Sequence, residues 1–209
     1  KAFNTRKDVV VGINQYAPAQ EKRHNTHLLP TSQVPDYQVE TNIEALPPLR
    51  PALAFETLRE NDFWDQQQVT LLCYGDAYRP RAEFMEGIFA CVGLRPEHSP
   101  ALETPEALVA YVGQRIEAPS LEAETPPEDT EASHTGAQHL MVFCASDSAY
   151  TSLLPKVLPR LKEAYPQLQL ILAGNPGEQH AAYQKLGLST AFYRGCNVLS
   201  ALTHLLPKA

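Results

Sequence analysis

Reactive side chains gather at the ends of apolar runs, where chemistry in an α/β chain is most often found. The run 69–74 (Val-Thr-Leu-Leu-Cys-Tyr) is followed by Gly75-Asp76-Ala77-Tyr78-Arg79-Pro80-Arg81 and then a helix pattern. Asp76 sits at the tip of that run, but with no histidine beside it the residue reads as a turn former or helix cap. Ser146, Asp147 and Ser148 follow a second run and, with a distant histidine, have the composition of a hydrolytic triad. No Gly-x-Ser-x-Gly elbow accompanies them, so capping is the simpler reading. Gly174-Asn175-Pro176-Gly177 has the makings of a phosphate cradle at a helix start, yet a lone glycine pair reads better as a turn. The seven histidines (His24, His27, His98, His134, His139, His180, His204) show no His-x-x-x-His spacing. The four cysteines (Cys73, Cys91, Cys144, Cys196) form no Cys-x-x-Cys pair. Cys73 and Cys144 lie inside apolar runs, where a free thiol behaves as a small hydrophobe. A reduced, cytoplasmic setting follows from that usage.

Charge and composition narrow the partners. The net charge is −7, but six acidic residues (Glu117, Glu122, Glu124, Glu128, Asp129, Glu131) fall between 117 and 136 with no Lys or Arg among them. Without them the chain is close to neutral, and there is no basic stripe to neutralise phosphates, so nucleic acid is not an expected partner. No stretch of eighteen apolar residues predicts a membrane span. The opening residues show neither a signal peptide nor an initiator Met, which reads as a piece of a longer chain.

The elements that must position these residues follow from hydrophobic period. Residues 8–16 suggest one strand, and 17–51 is proline-rich without a period. Leu53, Phe55, Leu58, Phe63 and Trp64 then give a helical stripe over 52–67, a linker helix packing on the domain behind it. From 68 to 209 strands and helices alternate: strand 69–74, helix 82–92, a weak or edge strand within 94–102, and a helix started by Thr104 and Pro105. The acidic segment 117–136 reads as a loop whose deletion the fold should tolerate. Strand 139–145, helix 152–165 (with Pro159 expected to kink or break it), strand 169–173, helix 178–186 stopped by Gly187, strand 191–193 and helix 198–206 complete the pattern. Continuous apolar strands between helices predict a flavodoxin-like, five-stranded parallel sheet of order 2-1-3-4-5, with helices on both faces.

Three stretches resemble methylmalonyl-CoA mutase. Arg6-Lys7-Asp8-Val9-Val10-Val11-Gly12-Ile13-Asn14-Gln15-Tyr16 is similar to the last strand of that enzyme's substrate barrel, and Phe55-Glu56-Thr57-Leu58-Arg59 to its linker helix. Leu153-Leu154-Pro155, Leu172-Ala173-Gly174-Asn175-Pro176-Gly177-Glu178-Gln179 and Tyr193-Arg194-Gly195-Cys196-Asn197-Val198-Leu199 resemble the end of the small, non-catalytic subunit of heterodimeric bacterial mutases. The resemblance implies a cobalamin-binding-like domain and locates the positions that hold cofactor in relatives. These are an Asp-x-His-x-x-Gly loop with a cobalt-ligating His, a Ser-x-Leu lining the slot for the dimethylbenzimidazole tail, and a Gly-Gly that lets the tail approach the backbone. Here those positions read Asp76, Tyr78 and Arg81; Cys144 and Ser146; Ala173 and Gly174; Gly195 lies beyond the last strand. A phenol replaces the imidazole, and a long cation replaces a glycine.

With all three motifs altered, the resemblance implies a vestigial pocket, with Tyr78 as a candidate filler of the tail slot. It implies no catalytic, cofactor or metal residue in this chain, and a structural role beside a large catalytic subunit that carries adenosylcobalamin. The partner would then interconvert methylmalonyl-CoA and succinyl-CoA. The alternatives are a cobalamin-dependent isomerase domain that binds without the usual His, and a small-molecule sensor of flavodoxin-like fold.

Overall fold

The computed structural model describes residues 52–117 and 138–207, together with Ile13, Ala17 and Ala19. The strand expected over 8–16, the proline-rich stretch and the acidic segment from 118 to 136 therefore lie outside the described residues, apart from those three positions.

Five parallel strands form one sheet in the order β2-β1-β3-β4-β5. They are β1 (Gln67–Cys73), β2 (Glu97–His98), β3 (Gln138–Cys144), β4 (Gln169–Ala173) and β5 (Leu188–Phe192). This is the flavodoxin-like order the sequence predicts. β1 and β3 are in register from Gln67↔Gln138 to Cys73↔Cys144. β2 is a two-residue edge strand, extended by a bridge from Tyr74 to Leu102, as its proline content anticipates. Among the described residues six α-helices surround the sheet: α1 (Leu53–Arg59), α2 (Arg79–Ala90), α3 (Pro105–Glu117), α4 (Asp147–Ala164), α5 (His180–Lys185) and α6 (Val198–Thr203).

Strand alternation sorts the core into two layers. Val69, Leu71, Leu140, Val142, Ile171 and Phe192 pack with α1, α2 and α6 in one cluster. Leu72, Met141, Phe143, Leu170 and Leu172 pack with α3, α4 and Tyr183 of α5 in the other. The linker helix belongs to this core. Phe55, Leu58 and Trp64 are buried in the first layer, and the Trp64 indole N–H donates to the Leu58 carbonyl at 2.8 Å. The helical stripe continues after α1 as a 3-10 turn, Asp62–Gln66, rather than as one helix.

Side-chain caps explain three of these helix starts. The Thr104 hydroxyl accepts from Ala107 N–H (3.1 Å), Ser146 from Ala149 N–H (3.2 Å), and the Asn197 side chain from Ser200 N–H (3.1 Å). Gly187, at φ +107°, ends α5 as expected. One expectation fails: Pro159 does not break its helix, and α4 runs unbroken for 18 residues through both Pro155 and Pro159. The two prolines lie one turn apart on the exposed face, where water can solvate the carbonyls they leave unbonded. On the opposite face Leu153, Leu154, Val157, Leu158 and Leu161 are buried. At roughly 1.5–3 kcal/mol each, that burial outweighs the ~3 kcal/mol of an interior proline. Among the described residues no helix is long and apolar enough to cross a membrane.

Candidate functional site

In a sheet of this order the chain leaves β1 toward one face and β3 toward the other. The crevice between their carboxyl ends is where such folds hold ligands. Here α2 starts after β1 and α4 after β3, so the amino ends of two helices from opposite layers flank that crevice. A side chain from each closes it. Arg81, in the first turn of α2, donates from Nη1 to the Ala173 carbonyl at 2.6 Å and from Nη2 to Asp147 Oδ1 at 2.7 Å. Its guanidinium also lies over the Tyr150 ring, 5.3 Å from the centroid. The Tyr150 hydroxyl, on α4, accepts a hydrogen bond from Ala145 N–H (2.9 Å) and donates to Ala173 O (2.7 Å) or Phe143 O (2.9 Å). Burial pushes its phenol well above the usual range, so it remains a neutral donor.

The Ala173 carbonyl, at the tip of β4, is thus held from one layer by Arg81 and from the other by Tyr150. Gly174 makes the arrangement possible. A Cβ there would sit 2.1 Å from Arg81 Nη1 and 3.1 Å from Tyr150 Cε2. The glycine therefore admits the protein's own arginine to the strand tip.

The other sequence-derived positions are more ordinary. Asp76 is exposed in the β1–α2 loop and makes no side-chain hydrogen bond among the described residues; the α2 cap is Tyr78, whose carbonyl accepts from Arg81 N–H and Ala82 N–H. The turn reading of Asp76 fits this loop, which Gly75 enters at φ +68°, and the cap reading does not. Tyr78 is half-buried against the first core layer, and the side chain that reaches the tip of β4 is Arg81. Cys144 is fully buried, and desolvation drives its thiol pKa up, so it stays protonated core. Ser146 is the α4 cap. Asn175 Oδ1 accepts from Gly177 N–H (3.0 Å), the turn expected of that stretch. All four cysteines are buried, and none of them forms a disulfide. Among the described residues no group of three or more His, Cys, Asp or Glu side chains could hold a metal ion.

Several hollows flank this end of the sheet and its free edge, including one of 340 Å³ lined by Asp147, Tyr150 and Asn175, among others. A cleft of 630 Å³ beside the Arg81 clasp is lined by Pro80, Phe84, Gly174, Asn175, Tyr193 and Arg194, among others. A wider groove of 840 Å³ runs along β5 between α5 and α6, with His180, Gln184, Thr190 and His204 in its walls. It lies at the free sheet edge rather than at the crevice between β1 and β3, so the cleft beside Arg81 is the better candidate. At the opposite end of the sheet, Arg115 pairs with Glu97, while Arg115 Nε and His139 Nδ1 are buried without hydrogen-bond partners. Burial, and secondarily the Arg115 charge, hold the His139 pKa below its ordinary value. Sequence reasoning missed this cluster and Tyr150, because the residues converge only across the sheet.

No family model matches the sequence, and no curated protein matches it. Among solved structures, the chain is similar to the Methanosarcina barkeri monomethylamine corrinoid protein, at 11% identity and a TM-score of 0.46. The likeness covers 74% of this chain and 64% of that one, and is too distant to bear on ligand or activity.

Proposed function

We propose that this chain is part of the non-catalytic small subunit of a methylmalonyl-CoA mutase, a cobalamin-binding-like domain that acts by pairing with a large catalytic subunit. In this reading adenosylcobalamin belongs to the partner and supplies the radical chemistry there. The observation that supports it is the Arg81 clasp. The guanidinium lies against Gly174, with its donors on Ala173 O and Asp147, in the space that the resemblance assigns to the cofactor's tail. The residues do not fit the cofactor in two further respects. The ligand position carries a tyrosine packed on the core, and Asp76 has no imidazole to orient.

Two measurements test the reading. Titration of the full chain with hydroxocobalamin, followed by visible absorption and calorimetry, should give no heat and no spectral shift at high micromolar cofactor; tight binding with an altered spectrum would overturn it. Mixing with a large mutase subunit should give a heterodimer by light scattering, and two species eluting independently would remove the structural role.

A further inference from the structure

The cleft beside the clasp has a composition that the structural role does not require. Its floor is Ala173, Gly174 and Phe192, its walls Pro80, Phe84 and Tyr193, and its polar groups are Arg81, Arg194, Asn175 and Asp147. Two guanidinium groups thus face one carboxylate, which leaves a net positive charge over a largely apolar surface. Arg81 is held rigidly, with its side chain 24% exposed, and among the described residues two of its five N–H donors meet protein acceptors. Arg194 is exposed and makes no ion pair among the described residues. Its placement is fixed by the turn after β5, where Cys196 N–H bonds to Tyr193 O (3.1 Å) and Gly195 adopts φ +93°. A volume of 630 Å³ is within the ordinary range for a small-molecule site, roughly 300–1,000 Å³.

We infer that this cleft binds a small organic anion, one carboxylate or phosphate carried on a flat apolar body. The anionic group lies between Arg81 and Arg194, and the body lies against Phe84 and Tyr193. A guanidinium pair suits either anion, because its planar fork matches both geometries. The aromatic walls exclude a bare inorganic ion as the best occupant. Asp147 competes with the ligand for Arg81 and weakens the site without abolishing it. The inference is independent of whether the chain belongs to a mutase.

The test uses the full chain labelled with ¹⁵N and titrated with phenyl phosphate, benzoate, inorganic phosphate and benzyl alcohol. Phenyl phosphate or benzoate should give saturable shifts at the amides of Gly174, Asn175 and Gly195 and at Arg194 Nε, with inorganic phosphate weaker and benzyl alcohol weakest. Arg194→Gln, at an exposed position, should leave the melting temperature unchanged and weaken binding about tenfold, the loss of one charge-assisted contact. Asp147→Asn should strengthen binding several-fold, since it frees Arg81 and removes the opposing charge. Non-saturating or scattered shifts, equal binding of benzyl alcohol, or affinities unmoved by both substitutions would overturn the inference.

Discussion

Removing the Arg81 side chain tests whether the crevice is closed by design of the chain itself. Arg81→Ala deletes a charged hydrogen bond to Ala173 O, an ion pair to Asp147 and a cation–π contact with Tyr150. A bond of the first kind contributes about 1.5–3 kcal/mol where it is dry. Here Ala173 O keeps its bond from Tyr150, so no buried acceptor is orphaned, and the lower part of that range applies. The Asp147 carboxylate is 74% exposed, so the ion pair adds about 0–1 kcal/mol, and the ring contact about 0.5. The sum is about 2 kcal/mol, or a fall of roughly 4–8 °C in melting temperature for a domain of this size.

The sharper measurement is a double-mutant cycle with Gly174→Ala. In the native background the new Cβ meets Arg81 Nη1 at 2.1 Å and must evict it; in the Arg81→Ala background that clash is gone, while the 3.1 Å approach to Tyr150 and the backbone strain at φ +159° are common to both. Urea melts of the four proteins should give a coupling of about 1 kcal/mol or more. A coupling under about 0.3 kcal/mol would mean that Gly174 does not exist to admit Arg81, and the closed-crevice argument would fail with it.

Other consequences are simpler. Tyr150→Phe leaves the buried Ala145 N–H without its acceptor and should cost about 1–3 kcal/mol in denaturant melts; a neutral substitution would show that water replaces the hydroxyl. Trp64→Ala should cost about 3–5 kcal/mol, since the ring is 1% exposed; a loss below about 1 kcal/mol would detach the linker segment from the core. His139 is kept neutral in the fold by burial and by Arg115, with Glu97 opposing. Its folded pKa lies below the unfolded value of 6.5, so between the two the unfolded chain holds more protons. Its contribution to stability is therefore complete above pH 6.5 and is lost as the pH falls from there to the folded pKa. Melting temperatures from pH 8 to 5.5 should fall more steeply for the native chain than for His139→Gln, and parallel curves would refute the assignment.

The fold was legible because its determinants are local and periodic. Apolar runs such as Leu170-Ile171-Leu172-Ala173, flanked by capped helices, have few arrangements available to them, and the parallel order follows from the alternation. The unbroken α4 was not legible, because proline's cost is a local property while the burial that offsets it comes from the second core layer. The site was legible only by position. The resemblance marked Arg81 as a departure and Gly174 as a retained glycine, but nothing in the sequence linked residues 92 positions apart, or showed Tyr150 rising between them.

That geometry changes what the two residues mean together. Taken singly, an arginine where the mutase resemblance expects glycine is a lost contact, and a glycine after the fourth strand is a retained one. Together they form a complementary pair, in which the glycine leaves space and the arginine occupies it. An unfilled strand tip at this crevice would leave the Ala173 carbonyl with one donor and an apolar hollow open to water. Arg81 satisfies the carbonyl, covers the Tyr150 ring and ties α2 to α4 across the sheet's switch point. In the proposed structural role, rigidity there would serve the chain better than the open room a cofactor needs. If the coupling between Gly174 and Arg81 is found, the crevice is a structural clasp in its own right, and the adjacent cleft is a separate place at this end of the sheet for a ligand to enter.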